Sequence, residues 1–437
     1  MTYDEALDYI HGIYWRGSKL GLSRTREILE LLGNPQKQLK FVHVQKQLKF
    51  VHVAGTNGKG STCAMLASIF RKAGYKTGLY ISPYIIRFNE RMQFNGEPIS
   101  DEELAEITEY VSNHAETMQD KPTEFELVTA IGMEFFKRKG CDIVILETGL
   151  GGELDSTNII DVPEAAVITA IDIDHIKELG GTIESVASAK AGIIKKGGDV
   201  IFYGNNHVAS TVFAQKCQKM AATLTETNFE SLIVKESSID GSIFDFAVGS
   251  ETYKNVYIPL PGTYQVNNCA LVLTTIEILK RKFNLDKKSI IDGIAEVNWP
   301  GRFEVLHKNP VFIADGGHNP HGIQGTADSI RHHFQNKKII AIMGVMADKD
   351  VSPMLDILAP LVKSAYTVKP DNPRAMDPNQ LAEHFRTRGI PAVACDEIQK
   401  GVAAAFSEAN ADDVICALGS FYMYADIAEA VKNYVPV

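Results

Sequence analysis

Paired cysteines, long apolar runs and an excess of positive charge are all missing from this chain. Its six cysteines, Cys63, Cys141, Cys217, Cys269, Cys395 and Cys416, stand singly with no C-x-x-C spacing. Neither a disulfide framework nor a cysteine-built zinc site is indicated, and small buried thiols are expected. No apolar stretch reaches the roughly 18 residues of a membrane-spanning helix. The first residues, MTYDEALDYIHGIYWRG, carry acids where a signal peptide needs a basic flank and an apolar run, so a cytoplasmic protein without membrane attachment is expected. Lys and Arg number 44 against 54 Asp and Glu, a formal net charge of -10. That balance argues against a nucleic-acid partner, while leaving room for a small basic pocket that takes an anionic ligand.

What is present is ordinary for a globular protein: 45% hydrophobic and 22% charged residues over 437 positions. The length suggests two or three domains. From about residue 49 onward, short β-branched runs alternate with helical patterns: KFVHV, a helix over 61–73, KTGLYIS, a helix over 101–115, then CDIVILETG and AAVITAIDI. Such apolar runs are what strands buried on both faces require, and the alternation predicts an α/β domain with a largely parallel sheet. Residues 228–260 change character, with SLIVKESS, SIFDFAVGS and NVYIPLPG reading as a small antiparallel patch. Helices are expected over 265–283 and 288–297, and Pro300-Gly301 breaks the pattern. Beyond the break VFIADGG, KKIIAIMGV, SAYTVKP, PAVACD and DVICALGS restart the alternation. The expected domains are therefore 1–299 and 300–437, the second a Rossmann-like α/β unit.

The nine residues QKQLKFVHV at 36–44 recur unchanged at 45–53, directly before AGTNGKGST. A phosphate-binding loop must leave a strand and open a helix, because both aim its backbone N–H groups. Only the second copy, with its strand over 48–53, meets that condition. The first copy is expected as a surface loop, at a closure cost on the order of 1 kcal/mol or less. A hairpin joining the copies through 45–47 is disfavoured, since Gln45, Lys46 and Gln47 supply no tight-turn residue. Identity without drift points to a tandem duplication rather than a repeat architecture.

AGTNGKGST departs from the strict G-x-x-x-x-G-K-[ST] pattern, yet small residues here let backbone curl round phosphate oxygens and Lys59 adds a point charge. The bland alternative is a glycine-rich strand-to-helix turn. In ILETGLGGELDSTN, Glu147 ends a strand where ligands of parallel sheets bind, making it either a candidate magnesium ligand or a surface acid before a turn. Asp174 and His175 are placed at another strand end, and Lys190 on a following helix in the apolar setting AKAGII. A lone histidine is more often structural, and a lone lysine solvated.

Together GTNGKGST, ISPYIIRFNER, Phe125-Glu126, ETGLGGxLDSTN, DHxxxLG, KAGIIK, GxYQxxN, PGRFE, DGGHNPHG and GVMADKD resemble, in this order, the folylpolyglutamate and dihydrofolate synthases, the folate branch of the Mur ligase superfamily. The resemblance implies a P-loop-containing Mur-ligase-like N-terminal domain and an ATP-dependent ligase that joins L-glutamate to a folate or dihydropteroate carboxylate through an acyl phosphate. By similarity, Gly55, Thr56, Asn57, Gly58, Lys59, Gly60 and Ser61 hold the triphosphate, joined by Asn268, Arg302 and Asp315. Ser82, Glu147, His175 and Lys190 serve two magnesium ions, Lys190 as a carbamate. Lys59, Glu147, His175, Lys190 and His318 form the catalytic set. Phe125, Glu126, Asp155 and Ser156 face the folate, with SPYIIRFNER as a flexible loop over the site. A monomer is expected.

Two positions depart from the family pattern. Glu153 stands where arginine is usual, and Ala189 where an acid usually precedes the lysine. A peptidoglycan-type Mur ligase shares the chemistry, but usually has a sugar-nucleotide domain ahead of its P-loop, where only some 50 residues precede Gly55. A non-catalytic nucleotide-binding regulatory protein is the other reading, disfavoured by the intact set Lys59, Glu147, His175 and Lys190.

Overall fold

Every residue of Phe50–Ala54 is buried, as are those of Ile143–Glu147 and Ala165–Ile168. Strands with no polar face must be covered on both sides, so they take the middle of a sheet. The computed structural model describes residues 1–13, 21–37, 39–41 and 44–434. It divides into two compact units, one of Met1–Leu232, Phe246–Val256 and Asn268–Val297, the other of Ile233–Asp245, Tyr257–Asn267 and Asn298–Val437.

In the first unit the described residues form an eight-stranded sheet in the order Thr223–Glu226, Asp199–Phe202, Ala165–Ile168, Phe50–Ala54, Ile143–Glu147, Thr77–Tyr80, Met92–Phe94, Glu97–Pro98. The first six are parallel, and the last two turn back antiparallel. Phe50–Ala54 is thus flanked on both sides, and its C-terminal end opens directly into residues 55–58 and the helix Lys59–Lys72. The helix Glu124–Lys139 is set by its own ends: Thr123 and Glu126 form a capping box, and Gly140 closes it in the left-handed region at φ 64°. Its face buries Leu127, Ile131 and Phe136 with Val144 and Leu146 of the sheet.

The strands Ile233–Ser238 and Gly241–Val248 pair antiparallel, and Glu251–Ile258 completes the small patch expected there. In the second unit a six-stranded sheet runs Glu304–Lys308, Val311–Ala314, Val414–Leu418, Ile339–Met343, Val362–Thr367, Ala392–Ala394. All neighbours are parallel except the first pair. No helix among the described residues is long and apolar enough to cross a membrane, and all six cysteines are free and buried.

The second copy of the repeat supplies the strand, as its adjacency to the glycine loop demands. The expectation of a plain loop for the first copy is corrected: its Leu39–Phe41 pairs antiparallel with Val44–Lys46, of which Gln45 and Lys46 already belong to the second copy, in a separate two-stranded ladder. Residues 42 and 43 lie outside the described residues, as do Gln38 and residues 14–17 of the acid-rich N-terminus. Gln45 and Lys46, expected as part of a connector without turn residues, instead belong to the second strand of this ladder.

Candidate active site

The phosphate loop is built by the strand behind it and the helix in front. Thr56 N–H donates to the Ala170 carbonyl at 2.9 Å, and Thr56 Oγ1 donates to the Asp172 carbonyl at 2.9 Å, stitching the loop to the neighbouring chain. Gly58, at φ 88°, caps the helix Lys59–Lys72 from the left-handed region, and a Cβ there would lie 2.7 Å from Asn268 Oδ1. Only glycine fits both demands. Asn268 therefore stands against the loop within the same unit. The helix N-terminus presents its first-turn N–H groups, a ready anion site.

Two lysines meet here. Lys59 Nζ donates to the carbonyls of Gly55 and Thr56 at 3.2 Å each. Lys190, the last residue of the helix Ile183–Lys190, is 5% exposed and donates from Nζ to the same Gly55 carbonyl at 2.7 Å. Burial, reinforced by the Lys59 charge, lowers the Lys190 pKa to about 7, against weaker upward pulls from Asp174 and Asp155. At neutral pH its amine is therefore substantially unprotonated, the form that attacks CO2.

Glu147 ends its strand buried, and Ser82 N–H donates to Glu147 Oε2 at 3.2 Å, so these two are brought together. Asp174 and His175 are not at a strand end: Ala165–Ile168 stops well short, and the segment between runs through a loop. His175 is exposed, at φ 51°, and opens the short helix Ile176–Leu179. The apolar letters Ala170, Ile171 and Ile173 carry the strand too far when read alone, although Ile173 is exposed. Among the described residues no three His, Cys, Asp or Glu side chains cluster into a metal cage. Of the expected set, only Glu147 and His175 are donors of these types; Ser82 offers a hydroxyl and Lys190 an amine.

Phe125 is half-buried and edge-on to Tyr80 at 6.3 Å. Glu126 is committed internally: its Oε2 accepts Thr123 N–H at 2.8 Å, Thr123 Oγ1 at 2.9 Å and Arg24 Nε at 2.9 Å. Its buried Oε1 has no partner among the described residues. Asp155 and Ser156 are buried. The loop over residues 82–91 is drawn together by Glu90, which accepts N–H groups of Ile85, Ile86 and Arg87 at 2.8 to 3.1 Å.

In the second unit, Asp315 is a hub. Its Oδ2 accepts Phe303 N–H at 2.8 Å and the Tyr264 hydroxyl at 3.0 Å, and its Oδ1 accepts Gly317 N–H at 2.8 Å and the Thr326 hydroxyl at 2.6 Å. Arg302 lies over the Phe421 ring, its Cζ 3.9 Å from the centroid. His318 donates from Nδ1 to the Gly316 carbonyl at 2.9 Å.

The sequence matches the Mur ligase middle domain over residues 53–276 and the Mur ligase glutamate ligase domain over 301–421. It is 33% identical over 440 residues to the dihydrofolate synthase/folylpolyglutamate synthase of Bacillus subtilis, covering 99% of each chain. The chain belongs to the folate branch of the Mur ligase family. Among solved structures of that family, it is similar to E. coli FolC in complex with DHPP and ADP, at TM-score 0.88 and 29% identity, covering 99% of this chain and 98% of that one. A bifunctional folylpolyglutamate synthase/dihydrofolate synthase with Mn, AMPPNP and L-glutamate bound gives TM-score 0.84 at 28% identity, covering 99% and 98%.

Against this Mur ligase background the two departures prove to be neighbours: Glu153 N–H donates to the Ala189 carbonyl at 2.9 Å. Sequence reading missed Arg24, Tyr264 and Phe421. Tyr264 lies inside the quoted motif GxYQxxN and was legible as a candidate, whereas nothing in the letters around Arg24 or Phe421 announces their partners.

Proposed function

We infer that this chain is an ATP-dependent ligase that adds L-glutamate to a folate carboxylate through an acyl phosphate. The meeting of Lys59 and Lys190 on the Gly55 carbonyl, at a helix N-terminus, carries the reading. A carboxylate is a poor electrophile at neutral pH. Transfer of the γ-phosphoryl group of ATP to it creates a phosphate leaving group. The neutral amine of glutamate then forms the C–N bond as the C–O bond to phosphate breaks, and the nitrogen gives up a proton.

The chain's own part is to bind and orient. Residues 55–61 take the triphosphate, with the Lys59 charge and the helix N-terminus as its anion site. Asn268 borders that loop, and Arg302, Asp315 and His318 are assigned to the nucleotide. Phe125, Glu126, Asp155 and Ser156 are assigned to the folate, for which Glu126 has only Oε1 left to offer. The donor set fits a hard divalent cation: Glu147 is a buried carboxylate beside Ser82, and Lys190 has the lowered pKa that carbamate formation needs. Two magnesium ions held by Ser82, Glu147, His175 and carbamylated Lys190 would supply charge neutralisation on the phosphates. The reaction is assigned to the cytoplasm and to a monomer.

The test is ADP release with dihydropteroate, with tetrahydrofolate or with neither, each with and without L-glutamate. Release that requires both a pterin substrate and glutamate supports the reading. Nucleotide binding with no glutamate-dependent release would replace it with a regulatory role.

A further inference from the structure

His52 lies mid-strand in Phe50–Ala54, fully buried, on the chain that enters the phosphate loop. Its Nε2 is 2.9 Å from Thr157 Oγ1, and its Nδ1 has no hydrogen-bond partner among the described residues. The Thr157 hydroxyl in turn donates to Asp155 Oδ1, which also accepts Thr157 N–H at 3.0 Å. Asp155 Oδ2 accepts Leu150 N–H at 2.7 Å. With backbone donors on both its oxygens, Asp155 acts as an acceptor, so the hydroxyl proton of Thr157 points at it. The remaining lone pair of Thr157 must then accept from His52, which fixes the imidazole as the Nε2–H tautomer. Burial, with Lys195 nearby, keeps the ring neutral by lowering its pKa to about 3. The orphan at Nδ1 is thereby an acceptor, which native interiors tolerate better than an orphaned N–H.

Leu150 belongs to the loop 149–153 that follows Glu147, and this loop is wedged between two parts of the proposed site. A Cβ on Gly149 would lie 2.4 Å from Phe125 Cζ, and one on Gly152 would lie 3.0 Å from Lys190 Cα. Glu153 N–H closes the loop onto the Ala189 carbonyl at 2.9 Å. We propose that His52 is a positioning residue which, by aiming the Thr157 hydroxyl at Asp155, fixes the 149–153 loop against which Phe125 and Lys190 are set. No reacting group touches it. The strand that delivers the phosphate loop thus also sets the geometry of the folate side, and the activity readout of this proposal rests on the ligase reading above.

Three substitutions separate the relay from simple packing. In His52→Gln the amide nitrogen reaches the place of Nε2 and can donate to Thr157; in His52→Asn the side chain is too short; in His52→Leu the volume is filled without a donor. The Gln variant should keep KM for dihydropteroate within about twofold of the parent, while Asn and Leu should raise it on the order of tenfold with kcat changed less. Thr157→Val should reproduce the same rise through the other end of the relay. Independently of turnover, nitrogen-15 spectra of histidine-labelled protein should show His52 as a neutral Nε2–H ring that does not titrate from about pH 5 to 8. An Nδ1–H ring, a titrating His52, unchanged KM in the Asn and Leu variants, or equal damage in the Gln variant would each overturn the proposal. Should Asn and Leu fail to fold, the tautomer and Thr157→Val decide it. Should the parent release no ADP with any folate, the ligase reading falls, and the tautomer alone still judges the relay.

Discussion

Lys59 and Lys190 converge on one acceptor, with Nζ atoms 3.2 and 2.7 Å from the Gly55 carbonyl oxygen. Such crowding follows from the fold, because the helix Ile183–Lys190 ends against the loop that opens the helix Lys59–Lys72. It sets up a linkage between proton binding and stability.

Folded Lys190 has a pKa lowered from 10.5 to about 7. Between those values the unfolded chain binds more protons than the folded one, so stability rises with pH across that window. Below the folded value the buried ammonium costs in full. Lys190→Met, in metal-free buffer depleted of CO2, should therefore stabilise the protein by about 5 kcal/mol near pH 6, with the gain fading toward pH 10. Denaturant unfolding at three pH values measures it, and a pH-independent difference would show that Lys190 is not held neutral.

Turnover should respond in the opposite direction. Lys190→Ala should be nearly inactive and partly restored by acetate or another short carboxylate standing in for the carbamate. Intact-protein mass under bicarbonate reports the modification directly, and an unmodified lysine in fully active enzyme would refute it.

Glu147→Gln should keep the fold and its contact with Ser82 yet lose turnover on the order of a hundredfold or more, since the amide is a poor partner for a divalent cation. His175→Ala should act likewise. Because His175 is exposed, its replacement should leave the melting temperature unchanged. Near-normal glutamate ligation in both variants would dismiss the metal assignment.

Asp315→Asn should be a stability mutation first. Four donors converge on the carboxylate: Tyr264, Phe303, Gly317 and Thr326. An amide would turn its NH2 toward two of them, at a cost on the order of 2 to 4 kcal/mol. Unfolding free energies measured without nucleotide give the answer, and an unchanged value would mean the residue acts on nucleotide alone.

Deleting residues 36–44 rejoins Pro35 to Gln45 and leaves the local sequence PQKQLKFVHV intact. ATP binding and ligase activity should persist. Val51→Asp, in a fully buried position of the strand, should abolish soluble expression. Loss of activity on deletion would show that the ladder Leu39–Phe41 with Val44–Lys46 supports the site.

What the sequence disclosed was whatever is local. Strands buried on both faces, such as Ile143–Glu147, announce themselves as unbroken apolar runs. Edge strands do not: Thr223–Glu226 and Glu97–Pro98 are largely exposed, so no apolar pattern marks them. The same division holds at the site. Lys59 and Glu147 could be placed from their strand-to-helix and strand-to-loop junctions. That Glu126 is consumed by Arg24, 102 residues away, could not, because an ion pair leaves no periodic trace. Nor could the commitment of Asp315, whose donors Tyr264, Phe303 and Thr326 lie 51, 12 and 11 residues away.

The repeat also has a consequence for the order of events in folding. The second copy pairs with Ile143–Glu147 and Ala165–Ile168, and the first copy carries the same letters. During synthesis the first copy leaves the ribosome ahead of the second, and it can occupy the central slot with every apolar contact satisfied. The closing of residues 55–58 onto Ala170 tells the two threadings apart, since nine surplus residues would otherwise separate strand from loop, as does the ladder Leu39–Phe41 with Val44–Lys46. The first copy is thus a decoy, and escape from it requires unpairing a central strand. Refolding should show a slow phase that deletion of residues 36–44 removes, with the fast phase left as it was.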